Sequence, residues 1–132
     1  MKCLVFSDSH GAPSKIVKAI EAHKGKADLV IFLGDGLRDV EYVKEKFPSL
    51  TFFCVRGNCD TEVDQMVLPF PILSDYSYVL ADGLTILATH GHKYTPDAPP
   101  PMAEGTILLT GHTHVLKIEE IANGCFYVNP GS

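Results

Sequence analysis

No stretch of this 132-residue chain approaches the ~20 apolar residues that a membrane span requires, so a transmembrane helix is excluded. The first apolar run is short and is interrupted by Asp8, which leaves no room for the hydrophobic segment of a secretory leader. Basic charge is scarce: 11 Lys and Arg stand against 16 Asp and Glu, for a formal net charge of -5. That balance argues against broad electrostatic binding to nucleic acid or to an anionic membrane. The four cysteines show no CxxC spacing. Cys3, Cys54, Cys59 and Cys125 read as reduced thiols in a cytoplasmic protein. Neither an internal repeat nor a linker is visible. A chain that is 45% hydrophobic at this length predicts one compact domain over residues 1–132.

What is present is a series of polar clusters, each placed just after an apolar run. Asp8-Ser9-His10 follows Cys3 to Phe6, Gly34-Asp35 follows Leu29 to Leu33, and Gly57-Asn58-Cys59-Asp60 follows Phe52 to Val55. His90-Gly91-His92 follows Leu84 to Ala88, and Gly111-His112-Thr113-His114 follows Ile107 to Leu109. Each run has the length and composition of a buried strand.

The first half of the chain alternates between strand and helix. Lys2 to Phe6, Leu29 to Leu33 and Thr51 to Val55 read as strands. Between them, Ser14 to His23 reads as a helix with Ile16, Val17, Ala19 and Ile20 on its apolar face. Arg38 to Phe47 reads as a second helix with Val40 and Val43 inward. The Gly25 region ends the first helix and Pro48 the second. This alternation predicts a parallel sheet with right-handed crossovers. In the second half, Tyr76 to Leu80 and Leu84 to Ala88 flank Ala81-Asp82-Gly83, while Val115 to Ile121 and Cys125 to Val128 flank Asn123-Gly124. Both turns carry hairpin signals. Parallel units followed by hairpins predict two facing sheets with helices outside, an α-β-β-α sandwich of the α/β class. Tyr94 to Gly105, with Pro96, Pro99, Pro100 and Pro101, is expected to be a semi-rigid loop.

Strand carboxyl ends in a layered α/β domain open into one crevice, so the clusters should meet there. Asp8 and His10 are alternate residues and can face one ion if the chain stays extended, and His112 and His114 repeat that spacing. With Asp35, Asn58 and His90 they offer more ligands than the roughly four of a single tetrahedral zinc. A surplus of this size fits two ions bridged by Asp35, which can hold a hydroxide and clamp a phosphoryl group. Asn58 offers a neutral oxygen, which limits negative charge near an anionic substrate. Two divalent cations would also reverse the local charge and attract phosphate. Singly, each signal is weak, since a lone strand-end aspartate more often caps a helix or forms a turn. In order, and each at a strand end, they are specific.

These residues, together with Thr89-His90-Gly91-His92, resemble the ordered signature of the calcineurin-like metallophosphoesterases. More narrowly, Val55 to Asp60, Glu62-Val63-Asp64-Gln65-Met66 and the terminal Asn129-Pro130-Gly131-Ser132 are similar to the YfcE-type bacterial phosphodiesterases. The resemblance runs from the first strand to the last residue. It implies a four-layer α-β-β-α sandwich of two facing mixed β-sheets and a dinuclear site that hydrolyses small phosphate esters. It places Asp8, His10, Asp35 and His114 around one ion, and Asp35, Asn58, His90 and His112 around the other. Manganese is the first expectation for both ions, with iron and zinc also suited to imidazole and oxygen ligands. His92 and Arg56 are candidate contacts to substrate phosphate. Asp60 is a candidate to orient a histidine such as His10 and so to assist catalysis. A non-catalytic scaffold on the same fold and a phosphomonoesterase are the alternatives; retention of every ligand position favours an enzyme.

The sequence departs from the family pattern in two ways. It is short at its C-terminal end, which predicts an unpaired sheet edge and a homo-oligomer, with a strictly monomeric species in light scattering as the contrary result. The second departure is Cys59, where many relatives carry a histidine that protonates the leaving oxygen. A thiol with a reference pKa of ~8.5 is a poor acid at neutral pH, and general acid catalysis is worth about 10²–10⁴-fold. Aryl phosphodiesters are therefore expected to turn over well and alkyl ones feebly; equal rates on a matched pair would overturn this reading of Cys59.

Overall fold

The computed structural model describes residues 3–23, 25–60, 76–81, 83–97, 101–121 and 124–131. Lys2, the stretch Glu62 to Met66, the turn residues Asp82 and Asn123, Pro99, Pro100 and Ser132 lie outside the described residues.

Strands β1 (Cys3–Phe6), β2 (Leu29–Phe32) and β3 (Thr51–Cys54) form a parallel sheet in the order β1-β2-β3. Helices α1 (Pro13–Ala22) and α2 (Leu37–Lys46) are the crossovers. Pro13 opens α1, where its missing N–H would be unpaired in any case. In α1, Ile16 and Ile20 recur at helical spacing and are buried, as are Leu37, Val40 and Val43 in α2. Lys44 and Lys46 in the last turn of α2 suit its dipole, and the helix stops two residues short of Pro48.

Strand β2 is buried along its whole length because both its faces are covered. Val30 and Phe32 pack with Ile16, Ile20, Val40, Val43, Phe52 and Cys54 beneath the helices. Leu29, Ile31 and Leu33 face the other way, onto Ile86, Ala88 and Leu109 of the second sheet. Each such side chain contributes about 1.5–3 kcal/mol on burial.

That second sheet has five strands: β4 (Tyr76–Ala81), β5 (Leu84–Thr89), β6 (Ile107–Leu109), β7 (Lys117–Glu120) and β8 (Phe126–Asn129). They run in the order β4-β5-β6-β8-β7. The two hairpins expected from the sequence are antiparallel pairs, β4 with β5 and β7 with β8, while β5, β6 and β8 are parallel. Only this sheet is mixed; the three described strands of the first are all parallel.

On the outer face of the second sheet, Leu87, Leu108 and Tyr127 pack with Met102 and Ile121. One detail differs from expectation: the last hairpin is shorter at its start, because Val115 and Leu116 precede β7 and stand exposed.

Candidate metal centre

Strands β1, β2, β3, β5 and β6 all end at one crevice. The chain leaves β1, β2 and β6 through left-handed residues rather than an extended segment. Among the described residues, the non-glycine positions with positive φ are Asp8 (55°), His10 (44°), Asp35 (61°), His112 (68°) and His114 (64°). All five are sequence-predicted ligands. The expectation that Asp8-Ser9-His10 stays extended is therefore corrected. The left-handed turns, and not simple alternation, bring the alternate residues together. Such a conformation costs an ordinary residue about 1–2 kcal/mol.

Asp8 is buried, and one of its carboxylate oxygens is fully engaged. Oδ2 accepts from the Ser7 hydroxyl and from the His112 backbone N–H at 2.8 Å. Oδ1 faces His114 Nε2 at 3.2 Å, His10 Nε2 at 3.6 Å and His90 Nε2 at 3.9 Å. None of these has hydrogen-bond geometry, so Asp8 Oδ1 is a buried oxygen without a hydrogen-bond partner. A burial of that kind is unfavourable unless something positive completes it.

Asp35 sits beside it in the same way. Its Oδ1 accepts from the Cys59 backbone N–H at 2.8 Å. Its Oδ2 lies 3.1 Å from His90 Nε2 and 3.7 Å from His10 Nε2. His90, fully buried at the end of β5, has Nδ1 at 2.7 Å from the Leu33 carbonyl, which fixes a proton on that nitrogen. Its Nε2 then meets three acceptor-bearing atoms: Asn58 Oδ1 at 2.9 Å, Asp35 Oδ2 at 3.1 Å and His112 Nδ1 at 3.2 Å. A proton on Nε2 could serve one of them, whereas a cation serves all. Three groups of side chains could hold an ion: Asp8, His10 and His114; Asp35, His90 and His112; and His10, Asp35 and Cys59. Oxygen and imidazole donors around an orphaned carboxylate oxygen are a chemical fit for divalent transition metals.

Asp60 acts differently from expectation. Its carboxylate does not contact His10 but accepts four backbone N–H groups, those of Asp35 (2.7 Å), Gly57 (2.9 Å), Gly36 (2.9 Å) and Leu37 (3.1 Å). It thereby caps α2 and ties the Asn58 turn to the Asp35 loop. Two glycines permit the loops to interlock so closely. A Cβ at Gly57 would meet Asp35 Oδ1 and lie 2.5 Å from Asp35 N, and one at Gly111 would meet Ser7 and lie 2.5 Å from Asp8 Oδ2. Asp39, which sequence reasoning passed over, accepts from the Ser9 hydroxyl at 2.6 Å and from Gly11 N at 2.9 Å, and so shapes the loop between Asp8 and α1.

The other predicted residues lie at the margin. His92 is exposed, with its ring 5.4 Å from that of His90 and 6.3 Å from that of His112. Desolvation, followed by the charge of His90, holds its pKa below the usual histidine value. Cys59 is exposed, and desolvation together with the negative charge of Asp35 pushes its thiol above the ordinary value. Arg56 is partly buried just before Gly57 and does not line the cavity that opens beside His10, Asp35 and Cys59.

Comparison with known proteins identifies the family of the chain. The pattern of the calcineurin-like phosphoesterase superfamily domain matches residues 1–132. The chain belongs to that superfamily. Phosphodiesterase YfcE of Escherichia coli (strain K12) is 37% identical over 147 residues, covering 100% of this chain and 79% of its own length. The solved structure of YfcE, a phosphoesterase from E. coli, superposes with a TM-score of 0.82 at 32% identity, over 100% of this chain and 80% of that one. An archaeal phosphodiesterase superposes with a TM-score of 0.72 at 26% identity, over 100% of this chain and 84% of that one. The family uses divalent metals, and its relatives are named phosphodiesterases, in keeping with the expectation of a phosphoric ester hydrolase.

Replacing Asp60 with alanine should strand four backbone donors at once, at a cost of about 3 kcal/mol or more. Urea unfolding measures it, and a loss within about 0.5 kcal/mol of zero, the scale of an ordinary surface substitution, would refute the clamp.

Proposed function

We propose that the chain is a metal-dependent phosphoesterase that hydrolyses small phosphodiesters at a dinuclear centre. The observation that carries this reading is the position of Asp35, whose Oδ2 lies 3.7 Å from His10 Nε2 on one side and 3.1 Å from His90 Nε2 on the other. Asp35 is thus available to both halves of the cluster. Asp8, His10, Asp35 and His114 would hold one ion, and Asp35, Asn58, His90 and His112 the other. When bound, divalent ions (manganese first, with iron and zinc also suited) supply an acidified water and positive charge for the phosphoryl oxygens.

The chain's own residues set the geometry. The Leu33 carbonyl fixes the His90 tautomer, the Cys59 N–H orients Asp35, and the His112 N–H and Ser7 hydroxyl orient Asp8. Hydrolysis forms one P–O bond to water and breaks the bond to the leaving oxygen, which takes its proton from solvent rather than from Cys59. Exposed His92 borders the cluster where a phosphate oxygen would emerge. Asp60 is a positioning residue that acts through the Asp35 backbone. Reduced Cys3, Cys54, Cys59 and Cys125 fit a cytoplasmic setting. Burial pushes the Cys54 thiol far up, so that it stays protonated and inert.

Asn58 and His112 are exposed, so their removal should spare the fold. Asn58→Ala and His112→Ala are each expected to lower phosphodiester turnover by at least about 100-fold, on the scale of lost electrostatic stabilisation. Calorimetric Mn²⁺ stoichiometry should fall with it, and the melting temperature should shift little. A wild-type protein that binds no transition metal, or variants with undiminished turnover, would overturn the assignment.

A further inference from the structure

The motif Asn129-Pro130-Gly131-Ser132 stands out in the sequence, and the proposed chemistry gives it no task. Asn129 ends β8, beside the carboxyl end of β6, and its side chain is fully buried. A buried primary amide is unfavourable unless its donors and acceptor are matched. Asn129 Nδ2 donates to the Gly111 carbonyl at 3.0 Å and to Thr113 Oγ1 at 3.0 Å, with the Tyr127 hydroxyl at 3.3 Å. Asn129 Oδ1 accepts the Gly131 backbone N–H at 2.9 Å. The Gly111 carbonyl can only accept and the Gly131 N–H can only donate, so the amide has one orientation.

Gly111 and Thr113 flank His112, and Thr113 also precedes His114. Both histidines hold left-handed backbone, at φ 68° and 64°. An ordinary residue keeps such a conformation only where its surroundings over-determine it. Part of that constraint comes from the cluster side, where Gly111 N donates to the His90 carbonyl at 2.8 Å and His112 N to Asp8 Oδ2 at 2.8 Å. Asn129 supplies the rest from β8, with one amide nitrogen gripping the turn on both sides of His112. The Tyr127 hydroxyl, 2.8 Å from Thr110 Oγ1, extends the same frame one residue upstream. Being neutral, the amide adds no charge to a crevice that already holds two carboxylates.

We propose that Asn129 is a positioning residue that sets His112 and His114 in the cluster by holding their turn at Gly111 and Thr113. This rests on the reading of the cluster as a metal centre, and the test separates the two. Groups that orient a metal ligand from behind are typically worth about 10–100-fold in metal affinity.

Asn129→Ala removes both anchors. The control is Ile20→Val, a core truncation under α1 that touches no ligand loop. Calorimetric Mn²⁺ affinity of the full chain should fall by about tenfold or more in Asn129→Ala and stay at the wild-type value in Ile20→Val. Hydrogen exchange of the metal-free protein gives a second readout that needs no ion. The His112 amide should lose protection by about tenfold or more in Asn129→Ala, while the Ile31 amide in the central strand β2 should change no more than in the control. Equal loss at both amides, or unaltered Mn²⁺ affinity, would overturn the proposal. Should Asn129→Ala fail to fold, Thr113→Val decides the case, because Thr113 is exposed and valine keeps its shape while removing the acceptor. A smaller shift of the same two readouts supports the proposal, and wild-type behaviour refutes it. If the wild type binds no Mn²⁺, the metal-centre reading fails by itself, and protection of the His112 amide still decides Asn129.

Discussion

Two carboxylates and an imidazole are buried together at the strand ends, and the rest of the structure serves that placement. Asp8 and Asp35 are 2% and 3% exposed and His90 is fully buried. Taking a carboxylate out of water costs several kcal/mol unless hydrogen bonds and an opposite charge complete it. Each aspartate here has one oxygen satisfied by the chain and the other turned toward histidines. The cores on both faces of β2 offset that cost, and they fix the five strand ends from which the ligands project.

Backbone conformation supplies the aim. Five candidate ligands occupy left-handed φ values, which the chain accepts because neighbouring loops interlock around Gly57 and Gly111 and because Asp60 gathers the N–H groups of two loops and a helix start. An Asp or His tolerates such a conformation better than a bulky or β-branched residue would. The donor set and the turn chemistry thus agree in residue type.

Much of this was legible in the chain itself. The apolar runs gave the strands because four-residue β-strands bounded by glycine and polar clusters leave little other reading, and the Pro48 stop and the hairpins came from equally local chemistry. The convergence of the candidate ligands followed from the position of each cluster at a strand end. Other features could not be seen that way. Asp60 bonds to residues 20 and more positions away, so its role as a remote helix cap leaves no local pattern. Asp39 belongs to an ordinary-looking first helical turn, and only packing brings it to the site. The left-handed turns at Asp8 and His10 were hidden by an alternation that reads equally well as extended strand.

The bond from His90 to the Leu33 carbonyl joins the end of a strand in one sheet to the end of a strand in the other. Asp35 and His112 stand on opposite sides of the same seam. A cation held between them would be a clasp on the two halves of the sandwich as well as a reagent. Stripped of it, the two halves would lose a tie along this line, where the Asp8 and Asp35 carboxylates of one sheet face the histidines of the other.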